Sequence, residues 1–391
     1  MSEPPTIAEQ GGASFFHRDS EAEFAFRLEV RSWVEASLPP ALRGLVRRPD
    51  PVALRDWHRR LHERGWIAPN WPRSAGGMGA SVRQQLILDE EMVRAGAPPI
   101  VLVGLAFVGP LLIEFGTDEQ KARHLPPILR GEISWAQGYS EPGAGSDLAS
   151  LKTRADRHDG HFIVNGHKVW QTWGHYSEWM FTLVRTDPTA PKHKGISCLL
   201  IDMATPGVTV RPIVTITGED ELSEVFLDDV AVPADNLVGP LNEGWRVANA
   251  LLAHERLAGG NPQFTMAALD RAKQIAEATG AMADAAFRDR LAKIELRVVA
   301  QAALFENAVR RREAGVLEPA ETSILKIVAT ETLQAVSDLM IEAAGSHAGE
   351  AGGDGVAAAG QHFLQSRRAT IFGGTREIHY GIVARRILGL R

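Results

Sequence analysis

Apolar residues recur with a helical period through the first third of the chain. Ser20 with Glu23 three residues later is a capping box, which marks the start of a helix. The apolar positions that follow are spaced like one buried helix face, and they are Phe26, Val30, Trp33, Val34 and Leu38. Similar runs predict helices over about 51–64, 82–95, 99–115 and 118–130. We therefore expect a flexible tail at residues 1–18 and an N-terminal helical domain at residues 19–132.

The middle third changes to the period of β-strands. Short apolar or alternating runs bounded by Gly, Pro, Asp and Asn predict strands, and these runs cover residues 179–184, 196–203, 208–214 and 225–232. Asn165-Gly166 lies between two further runs, 161–164 and 167–170, and this dipeptide is a strong hairpin signal. We expect a β-domain over residues 133–237.

The helical period returns after Pro233, in stretches at about 244–279, 287–314 and 320–344. The Gly/Ala-rich residues 344–360 predict a loop between helices. The chain is thus predicted to be mainly α with a central β-domain, and its last domain covers residues 238–391. A β-module between two helical lobes leaves a crevice of the kind in which cofactors usually bind.

Composition narrows the classes of function. The chain has 48 acidic and 42 basic residues and a net charge of -6, which disfavours nucleic-acid binding because that depends on Lys and Arg at phosphates. No run of about 18 uninterrupted apolar residues predicts a membrane span. The single cysteine, Cys198, cannot form an internal disulfide, and no charged segment followed by an apolar one opens the chain. We expect a cytoplasmic protein without a nucleic-acid or membrane partner.

Histidines at a metal-like spacing occur in the second predicted helix. His58 and His62 stand four residues apart, which places both rings on one helix face. The frame matches H-E-x-x-H except that Arg59 replaces the glutamate, and two ligands are too few for a site. We therefore expect a polar helix face here and no metal.

The segment Gln137–Asp147 (QGYSEPGAGSD) combines hydroxyls, carboxylates and turn residues just after a predicted strand. Such loops often bind ligands because they expose backbone donors. A purely structural Gly/Pro-rich turn is the alternative that the residues alone leave open.

Several motifs, in order along nearly the whole chain, resemble those of the acyl-CoA dehydrogenases. They are Gly65–Gly77, Gln137–Asp147, Lys168–Thr172, Val225–Pro233 and Ile371–Ile378. The resemblance implies an N-terminal helical domain, a middle β-barrel and a C-terminal four-helix bundle. It also implies FAD as the cofactor and an acyl-CoA thioester as the substrate.

The resemblance assigns roles to particular residues. Those expected beside the flavin ring are Gln137, Tyr139, Ser140, Trp170 and Thr172. Those expected at the other end of FAD are Thr375 and Glu377, and Ser146 should contact the CoA arm. A tryptophan is more often a core residue than a cofactor wall, so the role of Trp170 depends on the resemblance alone. Two departures concern the ADP half of FAD: Glu342–Ser346 replaces the usual Gln/Gly loop, and the Arg-Phe-Gly motif of the first C-terminal helix is missing.

The catalytic base is expected at Glu255. Many family members place a glutamate immediately before the final Gly-Thr, but this chain has Gly373 there, whereas Glu255 stands where isovaleryl-type and long-chain-type members keep theirs. From the residues alone, a helical glutamate followed by Arg256 is typically a solvated surface pair. The resemblance favours Glu255 as the base and the Gly373 N–H as a donor to the thioester oxygen. Arg256 is a candidate substrate contact, with a structural or partner role as the alternative.

The predicted reaction is α,β-dehydrogenation of an acyl-CoA to the trans-2-enoyl-CoA. Glu255 would take the α-proton and flavin N5 the β-hydride. The chain is most similar to bacterial large subunits, such as those of pimeloyl-CoA dehydrogenase and the steroid-degrading acyl-CoA dehydrogenases. We expect an electron-transfer flavoprotein or similar acceptor, and a homo-oligomer or a heterotetramer with a second such chain. The alternatives are a flavin-dependent oxidase or monooxygenase on the same fold, and a non-catalytic subunit.

Overall fold

The computed structural model describes residues 16–45, 48–99, 102–350 and 355–390, without the side chains of residues 252–258. The predicted tail therefore lies almost wholly outside the described residues. Within them the α-helices are α1 Glu21–Ser37, α2 Pro51–Arg64, α3 Val82–Arg94, α4 Gly109–Phe115, α5 Asp118–Arg130, α6 Gly244–Ala258, α7 Gln263–Thr279, α8 Ala285–Glu313, α9 Glu321–Ala344, α10 Ala358–Arg367 and α11 Arg376–Arg386. The strands are β1 Trp135–Gly138, β2 Arg154–His158, β3 His161–Thr172, β4 Trp179–Arg185, β5 Ile196–Asp202, β6 Val208–Ile213, β7 Leu222–Pro233 and β8 Leu237–Val238. The predicted class, mainly α with a central sheet, is confirmed.

The ends of the first helices follow the sequence signals. Ser20 and Glu23 form the predicted capping box at α1. Asp50 caps α2, and Gly65 ends it in the left-handed conformation that glycine adopts without a steric penalty. Ser81 and Gln84 form a second capping box at α3.

The helix predicted over residues 99–115 is irregular in its first half. Residues Gly104–Val108 form a π-helical turn, and regular α-helix begins only at Gly109. The cause is the indole of Trp71, whose Nε1–H donates to the Leu105 carbonyl at 3.0 Å. A Cβ at Gly109 would lie 1.6 Å from the same ring, so the chain packs around a tryptophan that periodicity does not reveal.

The strands form one sheet in the order β6-β7-β3-β2-β4-β5-β8, and β1 pairs with β4 in parallel. β3 and β7 form a long antiparallel pair whose register shifts twice. The core of this sheet is apolar and almost fully buried, and it includes Ala136, Phe162, Val164, Met180, Leu199 and Val230.

The hairpin predicted at Asn165-Gly166 is wrong, because β3 runs straight through this dipeptide. Asn165 bonds to Asp229 on β7 through both ends of its side-chain amide. Gly166 lies against Thr153, whose Oγ1 would be 2.4 Å from an added Cβ. The turn is instead at Gly160, with φ of 76° between β2 and β3. The Asn-Gly pair therefore serves close strand packing at a register shift rather than a turn.

The helical run predicted over residues 244–279 is two helices, since α6 ends at Ala258 and α7 begins at Gln263. The interruption is Gly259-Gly260-Asn261-Pro262, in which glycine and proline disfavour a continuous helix. The predicted end of this run at about residue 279 is confirmed, because α7 ends at Thr279 and Gly280 caps it in the left-handed conformation.

The chain divides into two compact units. One comprises Met1–Arg48, Ser81–Pro99 and Glu255–Arg391, and the other comprises Pro49–Ala80 and Ile100–His254. We call them the helical unit and the sheet unit. Within the helical unit, a buried ion pair between Arg83 and Glu306, 2.6 Å apart, joins α3 to α8. No helix in the described part of the chain is long and apolar enough to span a membrane.

Candidate functional site

The predicted ligand loop begins where β1 ends, and its backbone is fixed from the inside of the sheet unit. Three successive carbonyls, those of residues 138 to 140, each accept a hydrogen bond. The donors are Thr182 Oγ1 at 2.6 Å, Lys168 Nζ at 3.2 Å and Val169 N at 3.0 Å. Because each of these carbonyls is bonded to a residue of β3 or β4, the backbone of residues 138–140 is tied to the sheet at three successive points.

The open donor of this segment is the Ser140 N–H. In a trans peptide the N–H points away from the carbonyl of the preceding residue, and the Tyr139 carbonyl is held by Lys168. Within the described part of the chain the Ser140 N–H has no acceptor. Ser140 is half-buried, which makes this N–H a candidate donor to a ligand.

A buried ion pair lies behind the loop. Lys168 is 0% exposed and donates to Glu141 Oε1 at 2.9 Å and to the Leu183 carbonyl at 2.8 Å. The other acceptor sites of Glu141 receive the N–H groups of Lys152 and Thr153. Burial lowers the pKa of Lys168 to about 8 despite the opposing Glu141. Burial acts to raise the pKa of Glu141, but the Lys168 charge and the hydrogen bonds outweigh it and lower that pKa.

Trp170 is presented outward by a β-bulge. The β3–β7 register shifts between Val169 and Gln171, and both of these neighbours are buried. Trp170 itself is 58% exposed and has a φ of 71°. A left-handed conformation is unfavourable for a bulky residue, and bulges commonly redirect a side chain beside an active site. Val169 N donates to the Ser140 carbonyl, so the residue before Trp170 is bonded to the residue that carries the open loop donor.

The remaining predicted residues of the sheet unit have mixed environments. Gln137 and Thr172 are half-buried, whereas Tyr139 is buried and packs edge-on against Phe181. Ser146 is exposed on the far part of the loop. The structure therefore brings Gln137–Ser140 together with residues 169–172, and Ser146 lies further along the same loop.

A second turn with an open donor lies in the helical unit, at residues 372–375, and we call it the C-terminal turn. Lys326 on α9 donates to the carbonyls of Ala369 at 3.0 Å and Phe372 at 2.9 Å. His379 Nε2 lies 3.1 Å from the Gly373 carbonyl. Gly373 and Gly374 have φ of 63° and 89°, which explains why glycine stands at both positions. The Gly373 N–H has no acceptor among the described residues.

Thr375 and Glu377 begin α11. Thr375 is its N-cap and accepts the Ile378 N–H at 3.3 Å. Glu377 is exposed, and hydrogen bonds to its own N–H and to Arg376 lower the pKa of its carboxyl. These residues are therefore held locally, and in this chain Thr375 is half-buried and Glu377 is exposed.

Two predicted residues lie outside the described side chains. Glu255 and Arg256 are in α6, within residues 252–258, whose side chains the structure does not describe. Glu342 begins the segment that replaces the usual Gln/Gly loop, and its carboxylate is paired with Arg290.

The histidines at metal-like spacing do not form a polar face. His58 is buried, with Nε2 3.0 Å from the Leu129 carbonyl. Within the described residues, His17, Asp19 and Glu23 place ligand atoms within 4.8 Å of one another. Glu23 is already used in the α1 cap and Asp19 is paired with Arg27.

Sequence reasoning missed the residues that hold the two turns, namely Lys168, Glu141, Lys326 and His379. Lysine and glutamate are usually exposed, so their types argue against burial. The clearest signal was at Lys326, which stands between Leu325 and Ile327 in a predicted helix, whereas Lys168 follows His167.

Comparison with known proteins agrees over most of the chain. Models for the N-terminal, middle and C-terminal domains of acyl-CoA dehydrogenases match residues 20–132, 136–230 and 242–388. Acyl-CoA dehydrogenase IpdE1 of Mycobacterium tuberculosis is 38% identical over 93% of this chain and 97% of its own length. Acyl-CoA dehydrogenase FadE34 of the same organism is 40% identical over 84% of this chain. The match spans only 45% of FadE34.

A solved structure shows the same similarity. The steroid acyl-CoA dehydrogenase Tcur3481-Tcur3483 superposes with a TM-score of 0.87 and 31% identity, covering 96% of this chain and 99% of that one. The likeness to bacterial and steroid-type acyl-CoA dehydrogenases expected from the motifs is confirmed. The chain belongs to the acyl-CoA dehydrogenase family, whose members are FAD-dependent oxidoreductases.

Proposed function

We propose that this protein binds FAD and dehydrogenates an acyl-CoA thioester to the trans-2-enoyl-CoA. The observation that carries the proposal is the exposed Trp170, presented by a β-bulge one residue after Val169, which is hydrogen-bonded to Ser140, the residue with the open N–H. A large exposed aromatic held in an unfavourable conformation indicates a binding surface. An aromatic face with nearby hydrogen-bond donors matches the chemistry of an isoalloxazine.

The sheet unit supplies the residues that would hold the flavin ring. We assign Gln137, Tyr139, Ser140, Trp170 and Thr172 to this role, and Ser146 to the CoA arm. In the helical unit, Thr375 and Glu377 would contact the other end of FAD. When bound, FAD supplies the electron sink that accepts the hydride from the β-carbon.

The helical unit supplies the groups that would act on the thioester. Glu255 would remove the α-proton, with Arg256 as a neighbouring charge for the substrate. The Gly373 N–H would donate to the thioester oxygen, where negative charge develops as the proton leaves. A preorganised backbone donor suits this task because it needs no rearrangement during the reaction.

The substrate is proposed to be bulky or branched near the thioester, or long and functionalised. Gly373 has no side chain where many relatives carry a glutamate, which leaves volume near the reacting carbons. The solved relative is named a steroid acyl-CoA dehydrogenase. We accordingly propose a steroid-type or similarly bulky acyl-CoA.

A second chain and an electron acceptor complete the proposal. Residues of α11 and the segment after it leave Tyr380, Ile387, Leu388 and Leu390 exposed, and exposed apolar clusters typically mark interfaces. The solved relative carries a two-component name. We propose a homo-oligomer or a heterotetramer with a similar chain, and an electron-transfer flavoprotein or similar acceptor in the cytoplasm. The proposed domains are residues 19–132, 133–237 and 238–391.

Anaerobic titration tests the function. The purified protein should be yellow and release FAD on denaturation, and a panel of branched, dicarboxylic, steroid and straight-chain acyl-CoAs should bleach it without oxygen. A preparation that stays colourless with FAD and any co-purified chain would indicate a non-catalytic subunit. Rapid oxygen consumption would indicate an oxidase. Preference for butyryl-CoA over every bulkier thioester would refute the proposed substrate class.

Replacement of the proposed base tests the mechanism. Glu255→Gln should keep flavin and substrate while slowing flavin reduction by at least about a hundredfold, the low end of a general-base contribution. Adding Gly373→Glu to Glu255→Thr should restore some activity, more with straight-chain than with branched substrates. If Glu255→Gln reduces its flavin as fast as the wild type in a single turnover, Glu255 is not the base.

A further inference from the structure

We propose that Lys326 is a positioning residue that orients and polarises the Gly373 N–H toward the thioester oxygen. This inference rests on the proposed function, in which that N–H is the oxyanion donor. The residue lies on α9, far along the sequence from the C-terminal turn, and its ammonium group reaches the backbone of that turn directly.

One peptide group connects Lys326 with the open donor of the C-terminal turn. The Phe372 carbonyl and the Gly373 N–H belong to the same planar unit, and in the trans form they point in opposite directions. Lys326 Nζ donates to this carbonyl at 2.9 Å. The hydrogen bond therefore fixes the direction of the N–H on the opposite side, where no described residue accepts it.

The positive charge of Lys326 also strengthens the Gly373 N–H as a hydrogen-bond donor. A cation at a carbonyl oxygen draws electron density through the amide and makes the attached N–H a stronger donor, because hydrogen bonds in a chain polarise one another. Charge-assisted hydrogen bonds are roughly twice as strong as neutral ones. Lys326 is only 8% exposed, so water screens this effect little.

Two further contacts keep the peptide in place. Lys326 Nζ lies 4.3 Å from the centre of the Phe372 ring, a cation–π contact with the same residue. The next carbonyl, that of Gly373, is held by His379. A Cβ at Gly374 would be 2.9 Å from His379 Nε2. The peptide before Gly373 and the peptide after it are thus both anchored through their oxygens.

The consequence concerns the acidity of the substrate. As the α-proton leaves, negative charge accumulates on the thioester oxygen, which the Gly373 N–H is proposed to stabilise. A stronger donor lowers the energy of that charge more than it lowers the energy of the neutral thioester, so it accelerates proton removal. Lys326 would act only through the peptide, without touching the substrate.

A purely structural role is the competing explanation, since Lys326 also donates to the Ala369 carbonyl at the end of a helical turn. The two explanations differ in what charge contributes. Lys326→Met removes charge and donor, Lys326→Gln keeps a neutral donor, and Lys326→Arg keeps the charge. Lys293→Met is the matched control, because it removes a lysine charge from the same unit at an exposed pair with Asp289.

The test measures the bound thioester carbonyl by infrared difference spectroscopy. The probe is 3-thiaoctanoyl-CoA, in which sulfur replaces the β-carbon and the thioester carbonyl is carbon-13. It is bound to FAD-loaded protein in a Glu255→Gln background. We expect Lys326→Met to lose at least half of the frequency downshift, Lys326→Gln to be intermediate, and Lys326→Arg and Lys293→Met to keep most of it. With Glu255 restored, single-turnover flavin reduction should slow about 10- to 100-fold in Lys326→Met, as for a weakened oxyanion donor.

An unchanged downshift in Lys326→Met, or equal losses in Lys326→Gln and Lys326→Arg, would overturn the inference. If Lys326→Met does not fold, the comparison of Gln with Arg at this position decides by the same criteria. Failure of the proposed function looks different. In that case the parent protein shows neither a downshift with the probe nor bleaching by any acyl-CoA, whatever residue stands at position 326.

Discussion

The loop after β1 and the C-terminal turn both present an open backbone N–H, but different groups hold their carbonyls. Each presents one open N–H, that of Ser140 or Gly373, and each has a buried lysine on the carbonyl of the same peptide. In the sheet unit, three successive carbonyls are held by donors from β3 and β4. In the helical unit, two side chains from α9 and α11 hold carbonyls of a turn built from glycine.

The difference lies in what each turn depends on. The conformation of the loop after β1 follows from the register of the strands beside it, and several donors hold its carbonyls. A buried carboxylate, that of Glu141, neutralises Lys168. The C-terminal turn has left-handed glycines and depends on Lys326 and His379. We infer that the loop after β1 tolerates loss of a neutral donor but not of its charge pair. The C-terminal turn should lose function before it loses stability.

Removal of Lys168 should produce the largest effect on stability and on FAD affinity. Lys168→Met leaves the Glu141 carboxylate buried without its cation, and breaking such a pair typically costs about 3–5 kcal/mol of unfolding free energy. The affinity for FAD should fall by more than about tenfold, because the Tyr139 carbonyl is released. Urea unfolding and fluorescence titration with FAD measure the two effects.

The matched control for that variant is the double change Lys168→Met with Glu141→Gln. It removes the uncompensated charge and should recover part of the stability but not the FAD affinity. Wild-type FAD affinity in the double variant would contradict a positioning role for Lys168.

The same pair predicts a pH dependence of stability. The pKa of Lys168 is about 8 in the folded protein, against a reference value of 10.5. Between these values the unfolded chain binds more protons, so this residue makes the fold more stable as pH rises from about 8 to 10.5. For Glu141, whose folded pKa is lowered, stability is present above pH 4.5 and is lost as pH falls through the folded pKa.

Unfolding free energies of the wild type and the double variant, measured from pH 3 to 10.5, isolate these contributions. The difference between the two proteins should move in favour of the wild type on rising above pH 8, and against it on falling below pH 4.5. A flat difference across both windows would show that the pair is not titrating as described.

Trp170 should separate binding from stability. Because the side chain is exposed, Trp170→Ala should change the unfolding free energy of the apoprotein by less than about 1 kcal/mol, while FAD affinity falls about tenfold, in the range of aromatic stacking. Trp170→Gly should stabilise the apoprotein slightly, since a left-handed conformation costs a residue with a side chain about 1–2 kcal/mol. Calorimetry of apoprotein and holoprotein checks both.

Trp57, which is fully buried, supplies the contrast within the sheet unit. Trp57→Ala should cost about 3–5 kcal/mol whether or not FAD is present. A large loss of apoprotein stability in Trp170→Ala would place Trp170 with the core residues instead.

The sequence predicted most helices and the strands after residue 178, because these depend on local periodicity and caps. The residue types of 137–147 predicted a loop after β1. Sequence reasoning failed where a distant residue decides the local structure. Asn165-Gly166 is a strand because Asp229 and Thr153 lie against it, and the π-turn exists because Trp71 packs against Gly109. For the candidate site, motif resemblance assigned roles to Ser140, Trp170 and Gly373, and these roles stay predictions. The lysines behind two of them were missed because burial of a charge appears only once its partners are placed.

The smallest expected effect comes from a single neutral donor. Thr182 is fully buried, and its hydroxyl donates to the Gly138 carbonyl at 2.6 Å. Thr182→Val keeps the shape and leaves that carbonyl without this donor, which should cost about 1–2 kcal/mol. FAD affinity should fall by no more than about threefold, because Lys168 and Val169 still hold the next two carbonyls. Thr330→Val is the matched control, since the Thr330 hydroxyl donates to a carbonyl inside α9 that the helix itself can satisfy. A Thr182→Val loss of FAD affinity as large as that of Lys168→Met would show that the loop has no redundancy, and the contrast drawn between the two turns would be wrong.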